Sequence, residues 1–452
     1  MSTSPTDDWR SGLLAGAVEV PVPALLRNPA GWPAYEPRRA VSVWRLPVGA
    51  VAAVWDFSTY GGSFGEDDAT ALIAAVDVAI AERCALITLV RSGGTRLQEG
   101  VSALVGIPRA RLAMLSLAEA GLPHLSVADH PTTGGVWISV TSTADVRVGV
   151  EGATVGFAGP RVVEAVTGSL PASGSHTATS AYDAGLLDAL LPGAQVAGWV
   201  EGALRALHSE PTPVEPVVLA PREVSSGWAQ VQRSRARTTG GAMLLAALLS
   251  DRIPLRAEGG DATVAVALGR LRGRPVVGVA LAADVGVRPT PAGYRLAERG
   301  FRLAGRLGLP VVSLVDTPGA EPGTEAENGG IASAIAGALD AVLMCPSPTL
   351  ALVHGEGGSG GALAAAATDV LLATPDSYFA AIGPEGASAA LRRSPEECAD
   401  RLRLTPTDLL EVGLIDAIVA DAGAVAGALA ELCELDPNER RLTRVGRWSG
   451  SL

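Results

Sequence analysis

Two glycine pairs are the places in this chain where the backbone itself could do chemistry. Gly134–Gly135 lies in HPTTGGVW and Gly360–Gly361 in HGEGGSGGALA, and each follows a strand-like apolar run. Glycine lets the backbone approach a ligand closely, and at a helix start the free N–H groups and the helix dipole favour negative charge. Such a turn can hold a fixed anion such as phosphate, or stabilise an oxyanion that forms only in a transition state. It can also do no more than allow a helix to pack closely on a strand. Two pairs at matching places of the chain give the ligand-facing uses as much weight as the packing one.

Side-chain catalysts are scarce. Of the five histidines, His130 and His354 stand just before the glycine turns and are the best placed for a functional imidazole, and none has zinc-protease spacing. Ser359 sits in GGSGG, which superficially matches a hydrolase nucleophile elbow. Glu99, Asp316 and Glu325 are loop acids, and residue type alone assigns none of them a role. All 35 basic residues are arginine. Without lysine there is no Schiff-base chemistry, no Walker-type phosphate loop and no biotinylated segment within the chain. The four cysteines contain no CxxC pair, so neither a zinc ribbon nor a disulfide framework is expected, and no metal. A net charge of −12 argues against a nucleic-acid surface.

The elements that must carry these turns form a long-period repeat. CALITLV (84–90) ends in RSGGTRLQEG, and LPVVSLV (309–315) ends in DTPGAEPGTEAE. The glycine pairs follow, then FAGPRVVEAV (157–166) and IGPEGASAAL (382–391), then AGLLDALL (184–191) and VGLIDAIV (412–419), at a near-constant separation. Apolar runs rich in Val, Leu and Ile read as buried strands, and the Ala-rich stretches as helices. The expected fold is α/β, a duplicated layered architecture with crossover connections. The 452 residues, 48% hydrophobic and 18% charged, suffice for two cores. The expected organisation is an irregular N-terminal segment (1–45), a first domain (46–207), a Pro-rich linker (208–223), a second domain (224–435) and a tail (436–452). Since no run reaches about 18 apolar residues, no membrane span is expected. The polar start MSTSPTDDWR points to a cytoplasmic protein.

SGGTRLQEG (92–100), HPTTGGV (130–136) and GFAGPRVVEAV (156–166) resemble the β-type carboxyltransferase subunit of acetyl-CoA carboxylase, as does DFSTYGGSFG (56–65). From GWAQVQRSR (227–235) through LGLPVVSLVDTPGAEPGTEAE (307–327), HGEGGSGGALA (354–364) and GPEGASA (383–389) to LLEVGLIDAIV (409–419), the chain is similar to the α-type subunit. The whole resembles a fused β–α acyl-CoA carboxylase carboxyltransferase of the actinobacterial kind. That resemblance implies tandem crotonase-like (ClpP/crotonase) domains and carboxyl transfer from carboxybiotin, carried on a biotin carboxyl carrier protein and charged by a biotin carboxylase, to acetyl-CoA or another short acyl-CoA. It implies that biotin does most of the acid–base work while backbone amides stabilise two oxyanions. Carried over by motif, Gly134 and Gly135 hold the thioester oxyanion, and Gly361 with Ala362 the biotin ureido oxygen. Ser92, Gly93, Gly94, Arg96, Phe157, Ala158 and Gly159 line the CoA side, and Pro318, Gly319 and Gly360 the biotin side. Each half supplies one oxyanion site, so a homo-oligomer is implied, a dimer or a hexamer.

Three departures bear on substrate. The β-type zinc ribbon is missing. Trp137 and Ile138 follow the first glycine turn where the family has small residues, and Trp137 there narrows or blocks the acyl pocket. GVRPTPAGYRLAERG (286–300) keeps the Gly-Tyr-Arg core of an α-type segment without its basic and Asn character. A biotin-independent malonyl-thioester decarboxylase or acyl transferase on the same fold is the alternative enzyme. A catalytically silent scaffold is the alternative from another class.

Overall fold

The computed structural model describes residues 8–450. The chain divides into two compact units, Met1–Leu204 and Arg205–Leu452. In the first, β1 (Val18–Glu19), β2 (Val41–Leu46), β3 (Ala50–Trp55), β4 (Ala85–Ser92), β5 (His124–Thr133), β6 (Val146–Val150), β7 (Val155–Gly156) and β8 (Ala189–Leu191) form one sheet. Its order is β1-β2-β3-β4-β5-β6-β8, with β7 paired to β5. The pairs β1–β2 and β2–β3 are antiparallel, and every pair from β3 onward is parallel. Alternate residues of these strands feed opposite faces. Val51, Ala53, Leu86 and Val90 pack with the helices Glu66–Glu82 and Val101–Glu119, while Ala50, Ala52, Ile87 and Leu89 pack on the other face with Trp9, Val196 and Val200.

The second unit repeats the plan. Its strands are β9 (Ser250–Leu255), β10 (Val264–Leu271), β11 (Arg274–Leu281), β12 (Val311–Thr317), β13 (Thr349–Gly358), β14 (Val370–Ala373), β15 (Tyr378–Ala380) and β16 (Ala417–Ile418). They are ordered β16-β14-β13-β12-β11-β10-β9, with β15 paired to β13. Again two antiparallel pairs lead into parallel ones. Val312, Leu314, Leu350 and Leu352 pack with Leu245, Val425 and Leu429 from the helices Gly241–Leu248 and Ala424–Cys433. In both units the central strand (β5, β13) is ten residues long and runs directly into a glycine-containing helix, Gly134–Ser139 or Ser359–Ala366. Parallel strands carried on buried apolar runs put both turns at a strand's carboxyl end, where α/β sheets bind ligands.

Several expectations about the edges need correction. Of the N-terminal segment 1–45, residues 1–7 lie outside the described residues, and the rest is not simply irregular: the helix Asp8–Leu13 buries Trp9 and Leu13 in the first core, and β1 and β2 extend the sheet. The proline-rich segment is no free linker. Backbone bonds tie it to the second unit, from Glu210 N–H to Gly273 C=O (2.9 Å), Thr212 N–H to Arg272 C=O (2.9 Å) and Ala220 N–H to Ile418 C=O (2.9 Å). The second sheet begins at SDRIPL, which is β9.

The tail is a helix, Pro437–Ser449. Its Arg440 and Arg444 are buried, and both pair with Asp369 at 3.4 Å. The helix Val101–Glu119 is long and apolar enough by composition to cross a membrane, and it carries Pro108, Arg109 and Arg111 mid-length. Its Ala103, Gly106, Ala110, Met114 and Leu117 are buried, on the side that meets the helix Glu66–Glu82.

Candidate active-site turns

In the first unit β4 ends at Ser92, whose hydroxyl accepts the Gly94 N–H (3.2 Å) and closes a tight turn with Gly94 at φ +106°. Phe64 N–H donates to Gly94 C=O (2.7 Å) and Arg96 N–H to Phe64 C=O (2.9 Å). This ladder skips Thr95, whose nitrogen lies 3.9 Å from where a Gly134 Cβ would be. Gly134 itself has φ +67°, and a Cβ there would stand 3.0 Å from Gly94 Cα. Only glycine allows the loop and the turn to approach this closely.

The second unit builds the same pair. Thr317 Oγ1 accepts the Gly319 N–H (3.2 Å), and Gly319 has φ +126°. Glu321 N–H donates to Pro289 C=O (3.0 Å), skipping Ala320 as the first unit skips Thr95. A Cβ on Gly361 would stand 2.6 Å from Tyr294 Oη and 2.9 Å from the Ala320 nitrogen. The equivalence is fixed by position after the strand, and it moves the register by one residue from the glycine pairs. Ser359, at φ +59°, holds the place of Gly134, and Gly360 that of Gly135.

This geometry sorts the amides. The Gly134 N–H donates to Phe157 C=O (3.1 Å), so it is not free for a ligand. In a helix capped by Gly358, the Ala362 N–H makes the first intrahelical bond. The amides without a partner are those of Gly135 and Val136 in one unit and those of Ser359, Gly360 and Gly361 in the other. Gly135 and Gly361 are thus retained from the expected set, while Gly134 and Ala362 shape their turns. Gly93 and Gly360 are exposed, Phe157 is 72% exposed, and Ala158, Gly159 and Pro318 are half-buried at the rims.

Arg96 does not reach a solvent-facing ligand. It is fully buried, 2.6 Å from Asp68 and 3.2 Å from Glu99, and it donates to Arg38 C=O and Ser63 C=O. Tyr35 donates to Glu99 (2.7 Å), and burial with that bond pushes its phenol up to about 12. The side chain that motif matching placed near CoA therefore pins the loop that bears Thr95. Trp137 also points elsewhere than expected. It is 9% exposed and belongs to the core with Leu89, Val127 and Val155, so it fills the space beneath the turn, not a pocket above it.

Neither histidine before the turns is placed as a base. His130 is exposed and its Nδ1 accepts the Thr154 N–H (3.1 Å). His354 is buried with Nδ1 facing the Arg237 guanidinium (2.5 Å), and burial plus that cation lower its pKa to about 3. Ser359 has no hydrogen bond to a histidine or carboxylate, which removes the nucleophile elbow. Glu99 and Asp316 are buried, contrary to their reading as loop acids, and Arg237 pairs with Asp316 (3.4 Å). Among the described residues no group of three His, Cys, Asp or Glu could hold a metal ion. Sequence reasoning missed the Thr95 and Ala320 amides, because a backbone donor leaves no mark in residue type.

Residues 49–181 match the carboxyl transferase domain family, and residues 232–434 match the acetyl co-enzyme A carboxylase carboxyltransferase-like family. The acetyl-coenzyme A carboxylase carboxyl transferase subunits beta/alpha of Salinispora tropica is 37% identical over 411 residues, covering 83% of this chain and 72% of that protein. The chain belongs to the acyl-CoA carboxylase carboxyltransferase family. A second member, the probable biotin-dependent acyl-coenzyme A carboxylase beta3 subunit of Mycobacterium tuberculosis, is 34% identical over 89% of this chain and 86% of its own length. Transcarboxylase 12S has the same fold, with a TM-score of 0.79 at 23% identity, covering 95% of this chain and 90% of that one. The two sheets are therefore the duplicated crotonase-like domains that the sequence resemblance implied, and the carboxyltransferase is a carboxyl-transferring enzyme.

Proposed function

We propose that this carboxyltransferase moves a carboxyl group from carboxybiotin, borne on a separate carrier protein, to a short acyl-CoA, giving malonyl-CoA or a substituted analogue. The observation that carries the reading is the paired construction. Each unit ends its central strand in a turn with unpaired amides facing a loop amide, and neither His130 nor His354, the histidines before the turns, is placed as a base. Amides in that arrangement stabilise oxygen as negative charge develops on it. Two such cradles suit a reaction that forms two oxyanions in turn. Carboxybiotin, when bound, supplies both the carboxyl group and the base for the acyl α-proton.

The residues of this chain bind and orient. In the first unit the Gly135 amide, with Thr95 opposite, holds the thioester oxygen, and the exposed Phe157 lies on the CoA side. In the second, the Gly360 and Gly361 amides with Ala320 hold the ureido oxygen. The cradle fits a small oxygen, since a single Cβ on Gly361 would fill it. The biotin dependence named for the M. tuberculosis relative supports this reading. Transcarboxylase 12S, a hexamer solved with methylmalonyl-CoA and methylmalonic acid bound, supports a homo-oligomer and a thioester of this size. A biotin carboxylase and a biotin carboxyl carrier protein complete the system in the cytoplasm, and its product suits fatty-acid or polyketide assembly.

The test is decarboxylation of malonyl-CoA by the purified chain with and without free biotin, following CoA thioesters by mass. Biotin-dependent turnover is the expected result. Turnover without biotin would overturn the reading in favour of a decarboxylase that uses the first cradle alone.

A further inference from the structure

Tyr294 is completely buried, and its hydroxyl has no hydrogen-bond partner. Burial pushes the phenol well above its ordinary pKa, so it keeps its proton at neutral pH. The ring enters from the fourth position of the helix Pro291–Leu307, and the oxygen comes 2.6 Å from where a Gly361 Cβ would be, beside the Ala320 nitrogen. Phenol oxygen and loop amide thus face the same point at the start of the helix Ser359–Ala366.

Packing explains the ring but not the hydroxyl. The first unit has Ala69 at the fourth position of its corresponding helix, Glu66–Glu82, and Val136 at the third position of its glycine helix. All four residues are buried. The second unit therefore exchanges Ala with Val for Tyr with Gly, a swap that conserves filling. Phenylalanine would complete that swap equally well. An O–H buried without a partner costs folding energy, so its presence calls for an acceptor outside the protein's own hydrogen bonds.

We propose that the Tyr294 hydroxyl is a further hydrogen-bond donor of the second cradle, given with the Gly360, Gly361 and Ala320 amides to the bound ureido oxygen. The bond is a donation only, with no proton transferred, and it strengthens as negative charge builds on the acceptor. The inference rests on the reading above that this cradle takes the ureido oxygen. The first cradle has no counterpart, since Ala69 stands in the corresponding place.

The experiment uses the full chain and Tyr294→Phe. Malonyl-CoA decarboxylation with saturating free biotin should fall on the order of 100-fold in kcat, the usual loss for one oxyanion donor. The KM for malonyl-CoA should stay within about twofold, because the thioester binds the other cradle. Titration calorimetry with free biotin should show weaker binding, while the melting temperature is unchanged or higher. Wild-type turnover and biotin affinity in Y294F would overturn the proposal, as would a loss of turnover matched by a lower melting temperature, which assigns Tyr294 to packing. Failure of the underlying reading shows in the wild type itself, as turnover indifferent to biotin.

Discussion

At the first helical position after its central strand, the first unit has Gly134 at φ +67° and the second has Ser359 at φ +59°. Around this common backbone the two units place different charges. Arg91, on β4, lies 3.7 Å from Asp129 on β5, which Arg10 also pairs at 3.1 Å. In the second unit the corresponding strands carry Asp316 and His354, with Arg237 bonded to both. The preceding loop differs too, pinned by the buried Arg96 in one unit and ending in the half-buried Glu321 in the other. The duplicated part is the backbone that aims amides; the side chains beneath it are free to diverge. The arrangement of backbone donors therefore survives a nearly complete change of the surrounding residues.

The sharpest break in this comparison is Arg96→Leu. If Arg96 contacted CoA, the variant would fold normally and bind acyl-CoA poorly. Its burial against Asp68 and Glu99 predicts otherwise. Removing one partner of a buried ion network costs about 3–5 kcal/mol, because the other charges stay buried without compensation. Denaturant unfolding should show a loss of that size, and a fully stable R96L protein would return Arg96 to the ligand.

Next is the contrast between Gly361→Ala and Gly360→Ala. Both variants keep the amide N–H, so they read space alone. A Cβ at 361 runs into Tyr294 Oη and the Ala320 nitrogen, whereas at 360 it meets nothing within 4 Å. Steady-state kinetics should show turnover lower by roughly 100-fold in G361A, about 2.7 kcal/mol in the barrier, and nearly normal in G360A. Equal losses in the two variants would show that the cradle does not lie where Gly361 faces the loop.

A smaller effect separates the buried charge networks. His354 titrates at about 3 in the folded chain, against about 6.5 for an ordinary histidine. Between those values the unfolded chain binds more protons, so this residue's contribution to stability is intact above pH 6.5 and declines as the pH falls. From pH 7 to 5 the loss is roughly 2 kcal/mol. Asp316, raised by burial, works in the opposite sense, and Glu356 and Arg237 also surround the site. The measurement is therefore the difference between wild type and His354→Gln, which should flatten by that amount. Identical pH profiles would show that His354 is not held neutral.

The duplicated α/β plan and both turns were legible because Val, Leu and Ile runs mark buried strands and glycine marks the close approaches. What stayed hidden has specific physical causes. Ser359 adopts a left-handed backbone that serine rarely takes, so the glycine pairs were aligned one residue out of register. The tail carries no sign in its sequence that Arg440 and Arg444 are buried on Asp369. Trp137 read as a pocket residue because spacing says that a helix starts there, not which side of the sheet its fourth residue faces. Backbone donors such as Thr95 carry no signature at all.

Ser359 allows the smallest and most specific change. A non-glycine residue in the left-handed region costs on the order of 1–2 kcal/mol, part of which Ser→Gly returns as extra freedom in the unfolded chain. Ser359→Gly should therefore be neutral to about 1 kcal/mol more stable, and its turnover should be unchanged, since its hydroxyl has no partner that could activate it. The reverse change is not equivalent. Gly134→Ser would set a Cβ 3.0 Å from Gly94 Cα, whereas a Cβ on Gly319, in Gly94's place, would still lie 3.7 Å from Ser359 Oγ. The second turn has room for a side chain that the first lacks, so G134S should melt lower and S359G should not. A tenfold loss of turnover in S359G would mean that the hydroxyl contacts substrate and that the second cradle is not made of amides and one phenol alone.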